Sequence, residues 1–501
     1  MINAIKRVLI AGIGLFLQFG FAFAVRHYFD EHLGIIMFFY GAISIIIALA
    51  ILRNSTRLSN DLPWIILILV FPIFGTIFLL MLDRNYSKNK LLRNILHYEK
   101  KYKDCFKQDE SIKKEVKSKH LDNIQYLIDR TEYIVTKNNK IEYYDFGEKF
   151  YPELLKELKK AKEFIFMEYF IINKGVMWDG ILEILKEKAK EGVDVRIMYD
   201  DMGTIARLST KYPKELASYG IKCITFNKLI PFRGIFMNNR DHRKITIIDG
   251  KTAFSGGVNL SDEYININSK FGVWKDNGIK IEGDAIWNLT VMFLTLWNAN
   301  TGDDGGIEQY QYNFGKEIEP NGYIVPYGVA PRHEDLVGED VYINLINSAK
   351  EYLYIMTPYL VIDIDMTNSL CRAAKRGVDV RIIIPGIPDK KLVYTQATSF
   401  FKILHDCGVK IYKYEKGFMH SKVFLADDVR SVVGTINLDY RSLYLHFENG
   451  IYMEEIKEIK EIKKDFDNTF KDCRPISKKE TEAGFFKNIW QAILRLFAPL
   501  F

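Results

Sequence analysis

The sequence predicts an α/β protein built as two similar halves behind an apolar N-terminal segment. Three observations predict it. The octet His242-Arg-Lys244-Ile-Thr-Ile-Ile-Asp249 returns as His420-Ser-Lys422-Val-Phe-Leu-Ala-Asp427. Each is followed by a Gly-x-x-Asn tail, Gly256 to Asn259 and Gly434 to Asn437, and every matched position is offset by 178 residues. Other stretches repeat at similar offsets, as expected of an internal duplication. Gly192-Val-Asp-Val-Arg-Ile197 recurs letter for letter at Gly377–Ile382, and Ala161-Lys-Glu-Phe-Ile-Phe recurs as Ala349-Lys-Glu-Tyr-Leu-Tyr. Long uncharged apolar runs are confined to the first 83 residues.

Those runs are Val8–Val25, Gly34–Leu52 and Leu62–Leu82. Helices of that length match a hydrocarbon core of about 30 Å. The last two are expected to form a membrane hairpin, with Pro63 at the start of its helix and a kink at Pro72. The first run has two readings. It follows Lys6 and Arg7, and Ala22-Phe-Ala24 looks like a leader-cleavage site. It is either an uncleaved membrane segment or a removed leader. Residues 84–132 read as a basic linker: Arg84–Lys119 holds 12 Lys or Arg against five Asp or Glu. Basic residues favour the cytoplasmic face, so a multi-pass protein of the cell membrane is expected, with its body in the cytoplasm.

The body divides into residues 133–299 and 323–475, joined by the Gly-, Asn- and Asp-rich linker 300–322. Each half carries the same succession of signals. In the first, helix Tyr151–Lys162 leads to strand Phe164–Ile172, then helix Ile181–Glu191, Gly192 as its C-cap, and strand Val193–Tyr199. In the second, helix Val341–Lys350, strand Tyr352–Met356, helix Met366–Arg376, Gly377 and strand Val378–Ile384 follow in turn. Such alternation predicts mostly parallel sheets flanked by helices. Residues 476–501 form an amphipathic segment, either docked on the core or lying in a membrane interface.

The net charge of +6 is accounted for by the basic linker, which leaves the body nearly balanced. A broad nucleic-acid-binding surface is therefore not expected. The five cysteines lie far apart without C-x-x-C spacing and read as reduced, structural thiols.

On a strand, residues i and i+2 point to one face, so His242 aims with Lys244, and His420 with Lys422. Brought together by pseudo-twofold symmetry, two imidazoles would face each other across a cluster of cations and amides. That arrangement suits a phosphodiester: one His attacks phosphorus and the other protonates the leaving alkoxide. The Lys side chains, with Asn259 and Asn437, would hold the phosphate oxygens. No cofactor is required, and no run of acids points to a metal. Asp249 and Asp427 stay among the candidate residues as members of the motif. Their odd spacing from the histidines reads as a structural role, with bonds to backbone.

The paired His-x-Lys-x4-Asp-x6-Gly-(Gly/Thr)-x-Asn signatures resemble those of the phospholipase D superfamily, over about Lys140 to Glu448. The resemblance implies two phospholipase D-like halves and a phosphohistidine intermediate, with His242 as nucleophile and His420 as acid and base. It also implies a carboxylate further downstream in each half that orients the histidine. By position these are Asp276, in Trp274-Lys-Asp276, and Glu448. Family members often carry Asn where His446 stands, so this chain departs from the pattern there. The apolar hairpin, the basic linker, Thr357-Pro358-Tyr359 and the run Asn437-Leu-Asp439-Tyr-Arg441-Ser442 are similar to those of bacterial cardiolipin synthases. The implied substrates are phosphatidylglycerol and anionic membrane lipids. A membrane-bound hydrolase and a phosphatidylserine synthase-like transferase are the alternatives. A nuclease and a non-catalytic membrane scaffold fit the pattern less well.

Overall fold

The computed structural model describes residues 16–54, 58–81, 90–228, 239–315, 317–331, 335–496 and 498. It separates an N-terminal apolar unit from a body comprising residues 94–228 and 239–491.

In the apolar unit, residues 16–28 are helical and Leu33–Asn54 forms a helix of 22 residues. Among the described residues this is the one helix long and apolar enough to cross a membrane. The run expected as a third span is broken at Phe71 into Leu58–Val70 and Pro72–Met81. Pro72 therefore starts a helix instead of kinking one. Pro63 lies inside its helix, not at the start as expected, because the helix begins five residues earlier at Leu58. The polar Gln18 serves the break. Its Oε1 accepts from the Ile73 N–H at 3.1 Å, and its Nε2 donates to the Tyr40 hydroxyl at 2.6 Å. An apolar surrounding makes an unpaired helix-terminal N–H costly, and a glutamine supplies the missing acceptor. Residues 8–15 of the first run lie outside the described residues.

The body contains two helix-flanked sheets. The first half contributes β1 (Asn139–Tyr144), β2 (Phe164–Tyr169), β3 (Asp194–Asp200), β4 (Lys222–Phe226), β5 (Lys244–Ile248), β6 (Thr252–Gly256), β7 (Val273–Lys275) and β8 (Gly278–Gly283). The second half contributes β9 (Tyr323–Val329), β10 (Tyr352–Met356), β11 (Asp379–Pro385), β12 (Lys410–Tyr414), β13 (Gly417–Met419), β14 (Val423–Ala426), β15 (Arg430–Gly434), β16 (Glu448–Glu454) and β17 (Cys473–Pro475). The sheet orders are β1-β8-β6-β5-β2-β3-β4 and β17-β12-β11-β10-β14-β15-β16-β9.

The α/β class and the two-half repeat are as the sequence predicts, but the sheets are mixed. Within these two sheets the parallel pairs are β2-β3-β4 and β10-β11-β12, where helices such as Val176–Lys190 and Ile364–Lys375 make the crossovers. The motif strands pair antiparallel on both sides. Connection length decides this: only Asp249, Gly250 and Lys251 separate β5 from β6, and a link that short closes a hairpin but cannot make a crossover. Gly192 and Gly377 end the crossover helices with φ of +90° and +97°, a conformation that side chains disfavour.

The C-terminal segment forms the helix Phe485–Leu496. Phe485, Phe486, Ile489 and Trp490 are exposed along it, while Gln491 donates to the Thr398 hydroxyl at 2.8 Å.

Candidate active site

β5 and β14 lie at equivalent places in the two sheets; His242 sits two residues before β5 and His420 three residues before β14. Backbone pairing across the halves fixes both. β13, just ahead of His420, runs parallel to β7, and the His420 N–H donates to the Lys275 carbonyl at 2.8 Å. In mirror fashion Asp241 bridges Phe447, and the His242 N–H donates to the Phe447 carbonyl at 2.8 Å. Lys275 and Phe447 each immediately precede a candidate carboxylate. The pairing therefore delivers Asp276 to His420 and Glu448 to His242.

The carboxylates are thus exchanged between halves. His242 Nδ1 lies 2.9 Å from Glu448 Oε2, and His420 Nδ1 lies 2.5 Å from Asp276 Oδ2. The resemblance implied a partner from the same half; the structure takes it from the other. The reason is topological: Asp276 directly follows β7 and Glu448 opens β16, and the residue before each is hydrogen-bonded to the backbone N–H of the opposite half's motif histidine. A carboxylate on Nδ1 keeps the ring proton there and leaves Nε2 as the atom free for chemistry.

Both histidines open on one cavity of about 930 Å³, together with Asn259 and Asn437. Arg207, Arg240, Lys270, Lys390 and Arg441 also line it, and Phe170, Tyr264, Phe271, Trp274, Tyr359 and Phe418 supply its aromatic wall. Arg207, Arg240, Lys270, Lys390 and Phe170 were not singled out from the sequence, and Arg441 stood out only as part of the run Asn437–Ser442. Arg240, only two residues before His242, had the clearest signal, but no counterpart in the other octet marked it.

The motif lysines are fully buried beside the histidines. Lys244 Nζ donates to the His242 carbonyl at 2.6 Å, and Lys422 Nζ donates to the His420 carbonyl and lies 2.9 Å from His420 Nδ1. Burial lowers Lys244 to a pKa of about 7 and Lys422 to about 8, against the pull of Glu448 and Asp276. Burial also lowers both histidines, helped by the neighbouring lysines: His420 falls to about 4 and His242 well below its usual value. Both imidazoles are therefore neutral near pH 7.

Asn259 and Asn437 reach the cavity but are partly engaged. Asn259 accepts from the Ile171 N–H at 3.0 Å and donates to the Tyr264 hydroxyl at 2.7 Å. Asn437 donates to the Ser442 hydroxyl at 3.1 Å.

Asp249 and Asp427 are elsewhere. They lie past the far ends of β5 and β14, about 23 Å of extended chain from the histidines. Asp249 takes the N–H groups of Lys162, Glu163 and Phe164 at 2.8 Å each, and Asp427 those of Lys350, Glu351 and Tyr352 at 2.8–2.9 Å. Both have φ near +50°, at 51° and 54°. As members of the motif they were kept among the candidates; the structure gives them the task of tying the helix–strand turn to the hairpin.

Comparison with known proteins agrees with this architecture. The family model described as "Cardiolipin synthase, PLD-like domain" matches residues 154–297 and 342–470. A cardiolipin synthase of Clostridium perfringens is 35% identical over 445 residues, covering 87% of this chain and 93% of that protein. One of Alkalihalophilus pseudofirmus is 31% identical over 464 residues, covering 91% and 92%. An uncharacterized protein of Streptococcus mutans is 44% identical over 456 residues, covering 90% of this chain and 99% of that one. Among solved structures, a phosphatidylserine synthase of Haemophilus influenzae has the same fold, with a TM-score of 0.54 at 16% identity over 72% of this chain and 93% of that one. A duplicated motif, two matched half-domains and near full-length relatives lead to one conclusion: the chain belongs to the phospholipase D superfamily and is a cardiolipin synthase-like phospholipid enzyme.

Proposed function

We propose that this protein is a membrane-bound cardiolipin synthase that moves a phosphatidyl group from one phosphatidylglycerol to another and releases glycerol. The observation that carries the reading is a single cavity onto which two neutral, carboxylate-held imidazoles open, with a buried lysine beside each. The printed names of relatives at 31% and 35% identity supply the substrate class.

His242 Nε2 attacks phosphorus, the P–O bond to the glycerol headgroup breaks, and a phosphohistidine forms. His420 gives the departing glycerol oxygen a proton. A phosphodiester anion entering between two neutral imidazoles favours protonation of one of them, which readies that acid. A second phosphatidylglycerol then replaces glycerol. His420 takes the proton of its headgroup hydroxyl, the new oxygen bonds to phosphorus, and the P–N bond breaks to give cardiolipin. Lys244 and Lys422 offset the negative charge on the phosphoryl oxygens. Asn259 and Asn437 turn their remaining amide capacity toward the same oxygens, while Asp276 and Glu448 orient the histidines.

The cationic rim and aromatic wall suit an anionic headgroup whose acyl chains stay in the bilayer. The apolar segment to residue 83 holds the protein in the cell membrane as a multi-pass anchor, and the basic stretch 84–132 rests on anionic lipid at the cytoplasmic face. The amphipathic end, residues 476–501, adds an interfacial contact.

The test is product analysis with the purified full chain in detergent and labelled phosphatidylglycerol. Cardiolipin and glycerol in equal amounts are expected. Phosphatidic acid as the sole product would make the protein a hydrolase. Phosphatidylserine formed preferentially when serine is added would make it a serine-accepting transferase.

A further inference from the structure

We propose that His242, His446 and Glu448 form a binding site for a zinc-like divalent transition-metal ion, and that occupancy of this site shuts the enzyme off. The three side chains are buried, and one ligand atom from each lies within 4.8 Å of the others. Two imidazoles and one carboxylate are a common protein ligand set for zinc, with a fourth position left for a small ligand. Here His242 and His446 both open on the cavity, which gives an ion a way in.

Two unpaired atoms point to a ligand. Glu448 spends Oε2 on His242 and Thr435, but its Oε1 is buried with no hydrogen-bond partner. His446 Nδ1 is likewise buried and unpartnered, 3.5 Å from that oxygen. That spacing is too long for a hydrogen bond, yet two atoms so placed can share one ion. The ring of His446 lies 5.6 Å from that of His242, tilted by 41°.

The opposite half serves as an internal control. Trp274 stands two residues before Asp276, as His446 stands two residues before Glu448. Trp274 packs against His420 at 5.3 Å and 44°, nearly the same geometry. An indole offers no metal-binding lone pair, so this half holds a wall where the other holds a ligand. The ion is therefore an inhibitor of one half-site and not a cofactor of the reaction. Coordination through either nitrogen of His242 takes that imidazole out of nucleophilic attack: the lone pair of Nε2 is either bound to metal or replaced by the ring proton. Nitrogen-rich ligation also sets the selectivity. Zinc, copper and nickel are suited to imidazole, whereas magnesium and calcium seek oxygen.

The experiment uses the full-length protein in detergent, without lipid substrate, so its outcome is independent of the synthase reading. Cobalt(II) is the spectroscopic probe and zinc the competitor. Wild-type protein is expected to give the visible absorption of four- or five-coordinate cobalt, displaced by zinc and abolished by a chelator. His446→Asn is expected to weaken binding about tenfold or more, the scale seen when the environment of a bound metal is altered. Glu448→Gln provides the second variant should His446→Asn fail to fold. In the lipid assay, zinc should inhibit the wild type reversibly, with a matching rise in the inhibitory concentration for His446→Asn, while magnesium should not inhibit. Absence of cobalt binding by the wild type at millimolar concentration overturns the proposal. So does equal affinity in wild type and the folded variants.

Discussion

The two half-sites share one backbone plan and differ in what surrounds each imidazole. His420 is held by the shorter Asp276 and walled by Trp274, Tyr264 and Phe418, with ring centroids at 5.3–5.7 Å. His242 is held by the longer Glu448, with Phe170 at 4.9 Å on one side and the polar His446 at 5.6 Å on the other. The glycine tails differ to match. A Cβ at Gly257 would fall on the Asp276 carboxylate, so only glycine leaves it room. At the equivalent position Thr435 fills the space and donates to Glu448 Oε2 at 2.5 Å. Electrostatics follow: burial raises both carboxylates, but His420 and Lys422 outweigh it and leave Asp276 below its usual range, whereas Glu448 stays well above despite Lys244. Duplication supplied two equal imidazoles, and divergence of their neighbours gave them unequal surroundings.

That asymmetry is open to attack. The largest effect is expected from His242→Ala and His420→Ala, each lowering phosphatidyl transfer by on the order of 10⁴-fold or more, as when a nucleophile or its base is removed. Brief exposure to labelled lipid then assigns the roles. Label trapped on protein in His420→Ala but not in His242→Ala fits His242 as nucleophile, and the reverse pattern exchanges them. Next come the carboxylates. Glu448→Gln and Asp276→Asn keep shape but lose control of the ring proton, with kcat expected to fall by roughly 10²- to 10⁴-fold. The larger loss should come from Glu448→Gln, which loosens the nucleophile; equal losses would erase the distinction between the halves.

A smaller change is expected from pH. Lys244 and Lys422 must be charged to hold phosphate, and burial has lowered them to about 7 and about 8. Because kcat/KM reports the free enzyme, it should fall as pH rises through 7 to 8 and these charges are lost. On the acid side it should fall near 4, where His420 becomes charged. A profile flat from pH 6 to 9 would contradict charged lysines as phosphate ligands. The smallest effect on chemistry should come from Asp249→Ala. It leaves three N–H groups without their carboxylate, a loss of about 2–3 kcal/mol in stability. Activity per folded molecule should stay within about twofold, since this turn lies at the far end of β5 from the reacting atoms. Calorimetry and activity on the same preparation check both parts.

Much of the molecule was legible in the octets. The repeat announced two halves, and the odd spacing of Asp249 and Asp427 marked them as scaffolding. The crossover helices were found because their apolar stripes and terminal glycines are local signals. The antiparallel majority of the sheets was missed, since two pairings of the same buried strand read alike in sequence. The break at Phe71 was missed for a similar reason: an uninterrupted apolar run carries no mark of where its backbone pairing stops.

By itself the sequence determined which residues form the repeated motif and that they come in two sets. Residue type and spacing along one strand are properties of the chain alone. The tertiary structure decided which carboxylate meets which histidine. Asp276 lies 144 residues from His420 and Glu448 lies 206 from His242. Only the parallel pairing of β7 with β13, and its mirror at Asp241 and Phe447, brings them together. Backbone hydrogen bonds across the halves set that register, and no local pattern encodes a partner so distant.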